Sequence, residues 1–160
     1  MPAADSPLAP IVMKVALPCP PERAFVYFTR DIAQWWPLAR FSCAGDAAVD
    51  VAFEPREGGA LAERARDGTL HRWGTVTAWE PAQRVAFTWH PGSDEGAATR
   101  VEIAFAPTPA GCVVTLTHAG FEALGARAIK VKREYQNGWP DVFGTRYPQW
   151  SSVQWKGEAP

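Results

Sequence analysis

Residues 84–106 have the sequence RVAFTWHPGSDEGAATRVEIAFA, which contains two strand patterns joined by a turn-forming segment. Apolar side chains occupy every second position in both halves: Val85, Phe87 and Trp89, then Val101, Ile103 and Phe105. Because successive side chains of a strand point to opposite faces, each half buries one face. Pro91-Gly92 favours a turn after the first half. The stretch therefore predicts two strands of an antiparallel sheet whose apolar face another element must cover.

The same spacing of strands and turns continues on both sides of this stretch. The pattern predicts strands at 11–17, 49–54, 60–66, 70–79, 84–90, 99–106 and 112–118. Short turn signals such as Gly58-Gly59 and Asp67-Gly68 separate the consecutive strands from residue 49 onward, which indicates an antiparallel meander. In the strand around Trp73, strict alternation groups Trp73 with Trp79 and places Val76 opposite. It does not tell which set faces inward.

The C-terminal part of the chain is the segment able to cover the sheet. Residues 121–147 carry a loose helical stripe of apolar side chains: Leu124, Ile129, Val131, Tyr135, Trp139, Val142, Phe143 and Tyr147. Gly138 and Pro140 lie inside this stripe, and proline removes one helical hydrogen bond. The sequence therefore predicts either a kinked helix or two helical pieces. Residues 148–160 are predicted to be a C-terminal tail, frayed from residue 151 onward.

Two short helices are predicted after the first strand. Pro21 and Glu22 favour a helix start, so 21–29 is predicted to be helical, and a second turn over 31–35 ends before Pro37. Residues 1–10 are expected to be a mobile leader. The predicted fold class is α+β: a curved antiparallel sheet of six to seven strands wrapped around a long C-terminal helix, forming one domain over residues 11–147.

Composition narrows the classes of partner. A chain of 160 residues fits one domain, and its net charge of −1 provides no positive field for nucleic acid or anionic lipid. No apolar run is long enough to span a bilayer and no secretory signal is visible, so a cytoplasmic location is expected. The cysteines are Cys19, Cys43 and Cys112, outside any metal-binding spacing, and neither a metal nor another cofactor is predicted. Eight tryptophans and eight phenylalanines indicate an aromatic core or a ring-lined cavity.

Several short segments, in this order and spacing, resemble a known family. They are FT at 28–29, WWP at 35–37, FEPREGG at 53–59, Glu63 ahead of Asp67-Gly68, WGTV at 73–76, WEP at 79–81, FTW at 87–89, TRVE at 99–102, LTHAG at 116–120 and GWP at 138–140. Together they resemble the SRPBCC superfamily, whose members have the START-like or birch-pollen-allergen fold. Within it the chain is similar to the branch of heat-shock-protein-90 ATPase activator homologues.

The resemblance implies a helix-grip fold with an internal cavity between the sheet and the long helix. Across the superfamily this cavity holds lipids, sterols, plant hormones, polyketides and flavonoid-like compounds, so the fold alone does not define one function. The resemblance also implies that chaperone-activating members carry an additional N-terminal domain, which a ten-residue leader is too short to be.

Aromatic residues on the predicted inner surfaces are the candidate cavity wall. Trp89 and Phe87 lie on the apolar strand face, and Trp139 and Phe143 lie on the covering helix, although core packing is an equal alternative for Phe87. The full set of candidate ligand-binding residues is Trp35, Trp36, Phe41, Glu63, Trp73, Phe87, Trp89, His118, Trp139 and Phe143.

Glu63, His118 and Arg56 are the polar groups considered for a role. A carboxylate in an apolar cavity would have a raised pKa and could act as an acid, a base or an anchor. The alternative for Glu63 is an ion pair with Arg72 on the solvent face. His118 is predicted to lie on the inner face of the sheet. There it could be a catalytic residue or, alternatively, a hydrogen-bonded histidine of the core. Arg56 is expected to hold its turn.

Three functions remain open at this point. The first is non-catalytic binding of a small hydrophobic or aromatic molecule. The second is an aromatase or cyclase-like enzyme in which Glu63 or His118 moves a proton. The third is a chaperone or stress-response interaction protein, which would have a filled core and an exposed apolar patch. An exposed sheet edge could also support a homodimer.

Overall fold

The computed structural model describes residues 6–159, in which seven strands form one antiparallel sheet in the order β1-β7-β6-β5-β4-β3-β2. The strands are β1 Ile11–Leu17, β2 Ala48–Phe53, β3 Ala60–Ala65, β4 Leu70–Glu80, β5 Arg84–Trp89, β6 Thr99–Thr108 and β7 Gly111–Ala119. The helices are α1 Pro21–Thr29, α2 Ile32–Trp35, α3 Ala128–Asp141 and α4 Tyr147–Glu158. Short 3-10 segments cover Gly45–Ala47, Glu95–Ala97 and Phe121–Arg127.

The predicted helix-grip architecture is confirmed. Strands β2 to β7 follow one another as a meander, and β1 joins the far edge by pairing with β7, with Val15 opposite Val114. The buried face is the one that the alternation in β5 and β6 predicts. Its residues Val85, Phe87, Val101 and Ile103 are all at most 2% exposed. The C-terminal helix covers this face, so that each strand buries every second side chain.

Strand β4 departs from the alternation that its sequence suggests. The pairing with β3 skips Trp73, and the pairing with β5 skips a residue between Val76 and Ala78. Each irregularity adds one residue to β4 and shifts the phase of the side chains. As a result Trp73 and Val76 are both buried, and Trp79 contacts Phe25 in the core. The inner face of β4 therefore contains residues from both of the sets that strict alternation defines.

The C-terminal helix is one continuous helical run with an irregular centre. Pro140 lies inside α3, and the hydrogen-bonding pattern widens to a π-helix over Val142–Arg146 before α4 begins. Proline lacks the N–H of a regular turn, which gives a physical reason for an irregularity at this point.

Both ends of the described chain have specific anchors. The structure differs from the expected fraying after residue 151, since α4 continues to Glu158, whose Oε2 accepts a 2.6 Å hydrogen bond from the Tyr27 hydroxyl. At the other end the Lys132 ammonium donates to the Pro7 carbonyl at 2.9 Å, and Leu8 packs against the core. The rest of the expected leader, residues 1–5, lies outside the described residues.

Aromatic side chains fill much of the space between sheet and helix. Phe28 contacts Trp35, Phe53, Phe143 and Tyr147 with ring centroids 5.3–6.5 Å apart. Such tilted and edge-on contacts are the preferred geometries of aromatic pairs. This part of the grip is therefore a packed core. Over residues 6–159 no helix has the length and apolar character needed to cross a membrane.

A tryptophan-lined cavity as the candidate ligand site

A cavity of about 310 Å³ lies between the loop after α2, the turn after β5 and helix α3. Its lining residues are Trp36, Phe41, Ser42, Cys43, Trp73, Trp89, Pro91, Gly92, Glu134, Tyr135, Gly138, Trp139 and Val142. Most of these side chains are apolar or aromatic, and Glu134 is the one charged residue among them. An apolar cavity with a few polar groups is typical of a small-molecule site.

Four indole rings form a contiguous cluster in this wall. Trp36 lies at its centre, with ring centroids 5.1 Å from Trp73, 5.9 Å from Trp89 and 5.9 Å from Trp139. Each ring comes from a different element: the end of α2, the irregular part of β4, the end of β5 and the C-terminal part of α3. Tyr135 stacks on Trp139 at 6.0 Å.

Hydrogen bonds hold three of the four indole rings in place. The Nε1–H of Trp36 donates to the Phe41 carbonyl at 2.7 Å, and that of Trp73 donates to Glu63 Oε1 at 2.7 Å. Trp139 Nε1–H donates to His118 Nδ1 at 3.0 Å. With their polar atoms bonded to the protein, these rings offer carbon surface to the cavity. Trp89 Nε1 is buried and has no hydrogen-bond partner among the described residues.

Glu63 lies behind the wall and fixes two parts of it. Its side chain is fully buried and accepts from the backbone N–H of Cys43 at 2.7 Å and of Ala44 at 2.8 Å, in addition to Trp73. Burial acts to raise the pKa of Glu63, but the donated hydrogen bonds outweigh it and the pKa lies below its ordinary value. The carboxylate therefore stays ionised and joins the 43–44 loop to β4.

Neither of the two alternatives considered for Glu63 describes its surroundings. The sheet register pairs Arg72 with Ala62, not with Glu63, so the proposed solvent-face ion pair does not form. The pKa is lowered instead of raised, because the carboxylate is bonded to three donors and does not point freely into an apolar space.

His118 is a neutral, fully bonded core histidine. Since Nδ1 accepts from Trp139, Nε2 carries the proton and donates to Thr99 Oγ1 at 2.7 Å. Thr99 in turn donates to the Trp89 carbonyl at 3.2 Å. Burial lowers the pKa of His118 to about 3. This chain of hydrogen bonds links the Trp139 and Trp89 sides of the cavity.

The structure divides the ten predicted site residues into two groups. Five line the cavity: Trp36, Phe41, Trp73, Trp89 and Trp139. The other five lie outside its lining: Trp35, Glu63, Phe87, His118 and Phe143. Within this second group, Glu63 and His118 hydrogen-bond to lining tryptophans, Phe87 contacts Trp89, and Trp35 contacts Trp36. Phe143 stacks on Tyr147 in the packed core.

Sequence reasoning missed eight of the lining residues, among them Cys43, Glu134, Tyr135 and Gly138. Tyr135 could have been found, because it lies four residues before Trp139 and therefore on the same helix face. Cys43 comes from a loop without periodicity. Burial and the neighbouring Glu63 raise the pKa of the Cys43 thiol, which keeps the thiol protonated.

Arg56 is exposed and pairs with Glu54 at 3.4 Å, in the turn between β2 and β3. Residues 6–159 contain no cluster of side chains suited to a metal ion.

The curled seven-stranded sheet closed by a long C-terminal helix defines the class of SRPBCC, helix-grip ligand-binding domains. Within this class, residues 18–146 match the family described as activator of Hsp90 ATPase homolog 1-like protein. The chain belongs to that family. A comparison with curated proteins gives no significant match.

Solved structures share the fold. A protein from Mesorhizobium loti is 23% identical with a TM-score of 0.63, over 88% of this chain and 94% of that chain. A protein from Nitrosomonas europaea is 16% identical with a TM-score of 0.65, over 98% and 99% of the two chains. An anthrahydroquino-γ-pyrone synthase is 29% identical with a TM-score of 0.55, over 78% of this chain and 84% of that chain.

Proposed function

We propose that this protein binds a small, mainly apolar aromatic molecule in the tryptophan-lined cavity. The observation that carries the proposal is the 310 Å³ space whose indole walls have three of four N–H groups bonded to the protein. Such walls favour ring faces and hydrocarbon over polar groups. The volume is at the lower end of the roughly 300–1,000 Å³ of small-molecule sites, which suits about two or three fused rings.

The energetics are sufficient for useful affinity. A ligand that buries about 300 Å² of apolar surface gains roughly 7 kcal/mol before the cost of association. The pre-formed rings lower that cost, because their side chains are already ordered by hydrogen bonds and ring contacts. Micromolar binding therefore requires no covalent or metal chemistry.

Substitution of Gly138 tests the position of the ligand. Gly138 lies in α3 at the cavity, and a Cβ added there would be 3.5 Å from Phe41 Cε1. The larger side chain of Gly138→Leu should fill the cavity and weaken binding of naphthalene or flavone by at least about tenfold. Isothermal titration calorimetry measures this change.

Gly138→Ala is the matched control. It adds only a methyl group in ordinary contact and replaces a flexible helix residue, so it should retain most of the affinity and stabilise the helix by about 1 kcal/mol. Equal ligand affinity of the leucine variant and the wild type would place the ligand elsewhere. No thermal shift with a broad panel of flavonoids, fatty acids and fused-ring aromatics would count against binding altogether.

An enzyme is the second candidate, supported by the 29% identity to the γ-pyrone synthase. Glu63 and His118, the two groups considered for proton transfer, lie behind the wall with their polar atoms bonded. The lining residues with a side chain able to move a proton are Ser42, Cys43, Glu134 and Tyr135. Conversion of a poly-β-ketone thioester, detected by mass spectrometry and lost in Glu134→Gln, would support an enzyme.

The interaction-protein alternative has less support. It predicts an exposed apolar patch, but among residues 6–159 the large exposed apolar side chains come from five different elements: Val12, Val49, Leu70, Ile129 and Val153. Scattered exposed residues of this kind are normal for a protein surface. The cytoplasmic location and the homodimer stay predictions, which localisation of a tagged protein and sedimentation of the purified protein would test.

A further inference from the structure

A second cavity of about 210 Å³ adjoins the tryptophan-lined cavity and has a different chemistry. The residues that it shares with the first are Trp89, Pro91, Gly92, Glu134 and Tyr135. The residues that belong to it alone are His90, Ser93, Ala97, Thr99, Leu124, Arg127 and Val131. The second cavity therefore has an imidazole and a guanidinium beside a wall that the first cavity also uses.

His90 is the unusual residue in this second cavity. It is 5% exposed, and Nδ1 lies 3.0 Å from the Ser93 carbonyl oxygen. Because a carbonyl oxygen only accepts, Nδ1 carries a proton in this hydrogen bond. In the neutral ring Nε2 is then a bare acceptor, and it is buried with no partner in the described part of the chain. A buried polar atom without a partner is rare and requires a physical explanation.

The surrounding turn holds the backbone of His90 in place, and the Nδ1 bond to Ser93 orients the ring. Its backbone N–H donates to the Trp73 carbonyl at 2.6 Å, and its carbonyl accepts from the Ser93 N–H at 2.9 Å. His90 directly follows Trp89, so its backbone position is tied to one wall of the tryptophan-lined cavity. The unused nitrogen therefore belongs to a fixed side chain that lines the second cavity.

We propose that the second cavity is a subsite for a phenolic hydroxyl of the bound aromatic molecule, with His90 Nε2 as the hydrogen-bond acceptor. This inference rests on the proposed function, because the rings of the same ligand occupy the first cavity. A hydroxyl fits better than an anion or a plain hydrocarbon, since a bare nitrogen needs a donor. The hydroxyl oxygen can in turn accept from Arg127, which lines the same subsite.

Paired ligands and paired variants test the subsite. The affinities of naphthalene, α-naphthol and β-naphthol are measured by calorimetry for the wild type, His90→Asn and His90→Gln. Asn can reproduce the Nδ1 bond to Ser93 but has no group at the Nε2 position, whereas Gln places an amide oxygen near Nε2. Naphthalene affinity is the internal reference for each protein, and thermal unfolding checks that each is folded.

The wild type should bind at least one naphthol about tenfold more tightly than naphthalene, because one buried hydrogen bond contributes about that ratio in affinity. In His90→Asn the ratio of naphthol to naphthalene affinity should fall to one or below, because an unbonded hydroxyl costs free energy when it leaves water. His90→Gln should retain a several-fold preference. An unchanged preference in His90→Asn would overturn the subsite. Naphthalene binding without any naphthol preference overturns the subsite alone, while no binding of any of the three ligands overturns the proposed function as well.

Discussion

Replacing Glu63 with alanine is expected to lower the free energy of unfolding by about 3–5 kcal/mol, because three buried donors lose their acceptor. For a chain of this size the melting temperature should fall by roughly 10 °C. The donors are the N–H groups of Cys43, Ala44 and Trp73. Two of them belong to the loop at the cavity, so ligand affinity should fall with stability. Thermal unfolding followed by circular dichroism measures the first effect.

The control for this substitution is Glu57→Ala. Glu57 is an exposed glutamate in the turn between β2 and β3, so its loss should change the free energy of unfolding by no more than about 0.5 kcal/mol. Similar small effects at both positions would contradict the role assigned to Glu63.

The stabilisation by Glu63 should depend on pH in a defined direction. The folded protein lowers the pKa of Glu63, so folding favours the ionised form. Its contribution is complete above the unfolded pKa of about 4.3 and is lost as the pH falls through the lower folded pKa. Glu63→Gln resembles the protonated form. The stability difference between wild type and Glu63→Gln should therefore be constant from pH 7 to about 5.5 and shrink below about 4.3. His118 is present in both proteins, so its own titration cancels in this comparison.

Gly74→Ala is expected to have the other large effect on stability. A Cβ on Gly74 would lie 1.7 Å from the Thr88 carbonyl oxygen of the neighbouring strand, a distance that no rotamer change relieves. Strands β4 and β5 would have to separate where Thr88 Oγ1 accepts from the Thr75 N–H at 2.9 Å. We expect a loss of more than about 4 kcal/mol and no cooperative unfolding transition above 37 °C.

Substitutions of two other glycines serve as controls, because they show the general effect of replacing a glycine without this clash. Gly68 has φ of +91° with no atom within 4 Å of an added Cβ, so Gly68→Ala should cost about 1 kcal/mol through backbone strain alone. Gly157 lies in α4 with open space around it, and Gly157→Ala should be neutral or slightly stabilising. A melting temperature of Gly74→Ala within 3 °C of that of Gly68→Ala would contradict the close approach of β4 and β5.

The regular parts of the fold were predictable from local patterns. Each strand lies within two residues of its expected bounds, and α1 lies over its expected range, because alternation and turn residues act over a few neighbours. The end of the C-terminal helix was not predictable in this way. Residues after 150 show no strong stripe, and the anchors of α4 are distant residues such as Tyr27, 131 positions away.

The candidate site was predictable only in part. Trp36, Trp73, Trp89 and Trp139 were among the candidates because the chain is rich in large aromatic side chains, and Trp89 and Trp139 lie on predicted inner surfaces. The roles of Glu63 and His118 were not predictable, because each depends on partners from other elements that decide whether a polar group is free or bonded. His90 gave no sequence signal of its own.

The amino-acid pattern by itself determined the positions of the strands, their antiparallel meander and the apolar face that the C-terminal helix covers, because these follow from side-chain periodicity and short turns. Tertiary structure alone decided which residues of β4 face inward, since strand irregularities shift side-chain phase without a clear sequence mark. It also decided that the aromatic residues leave an open cavity at one position, because packing depends on the shapes of side chains brought together from distant segments.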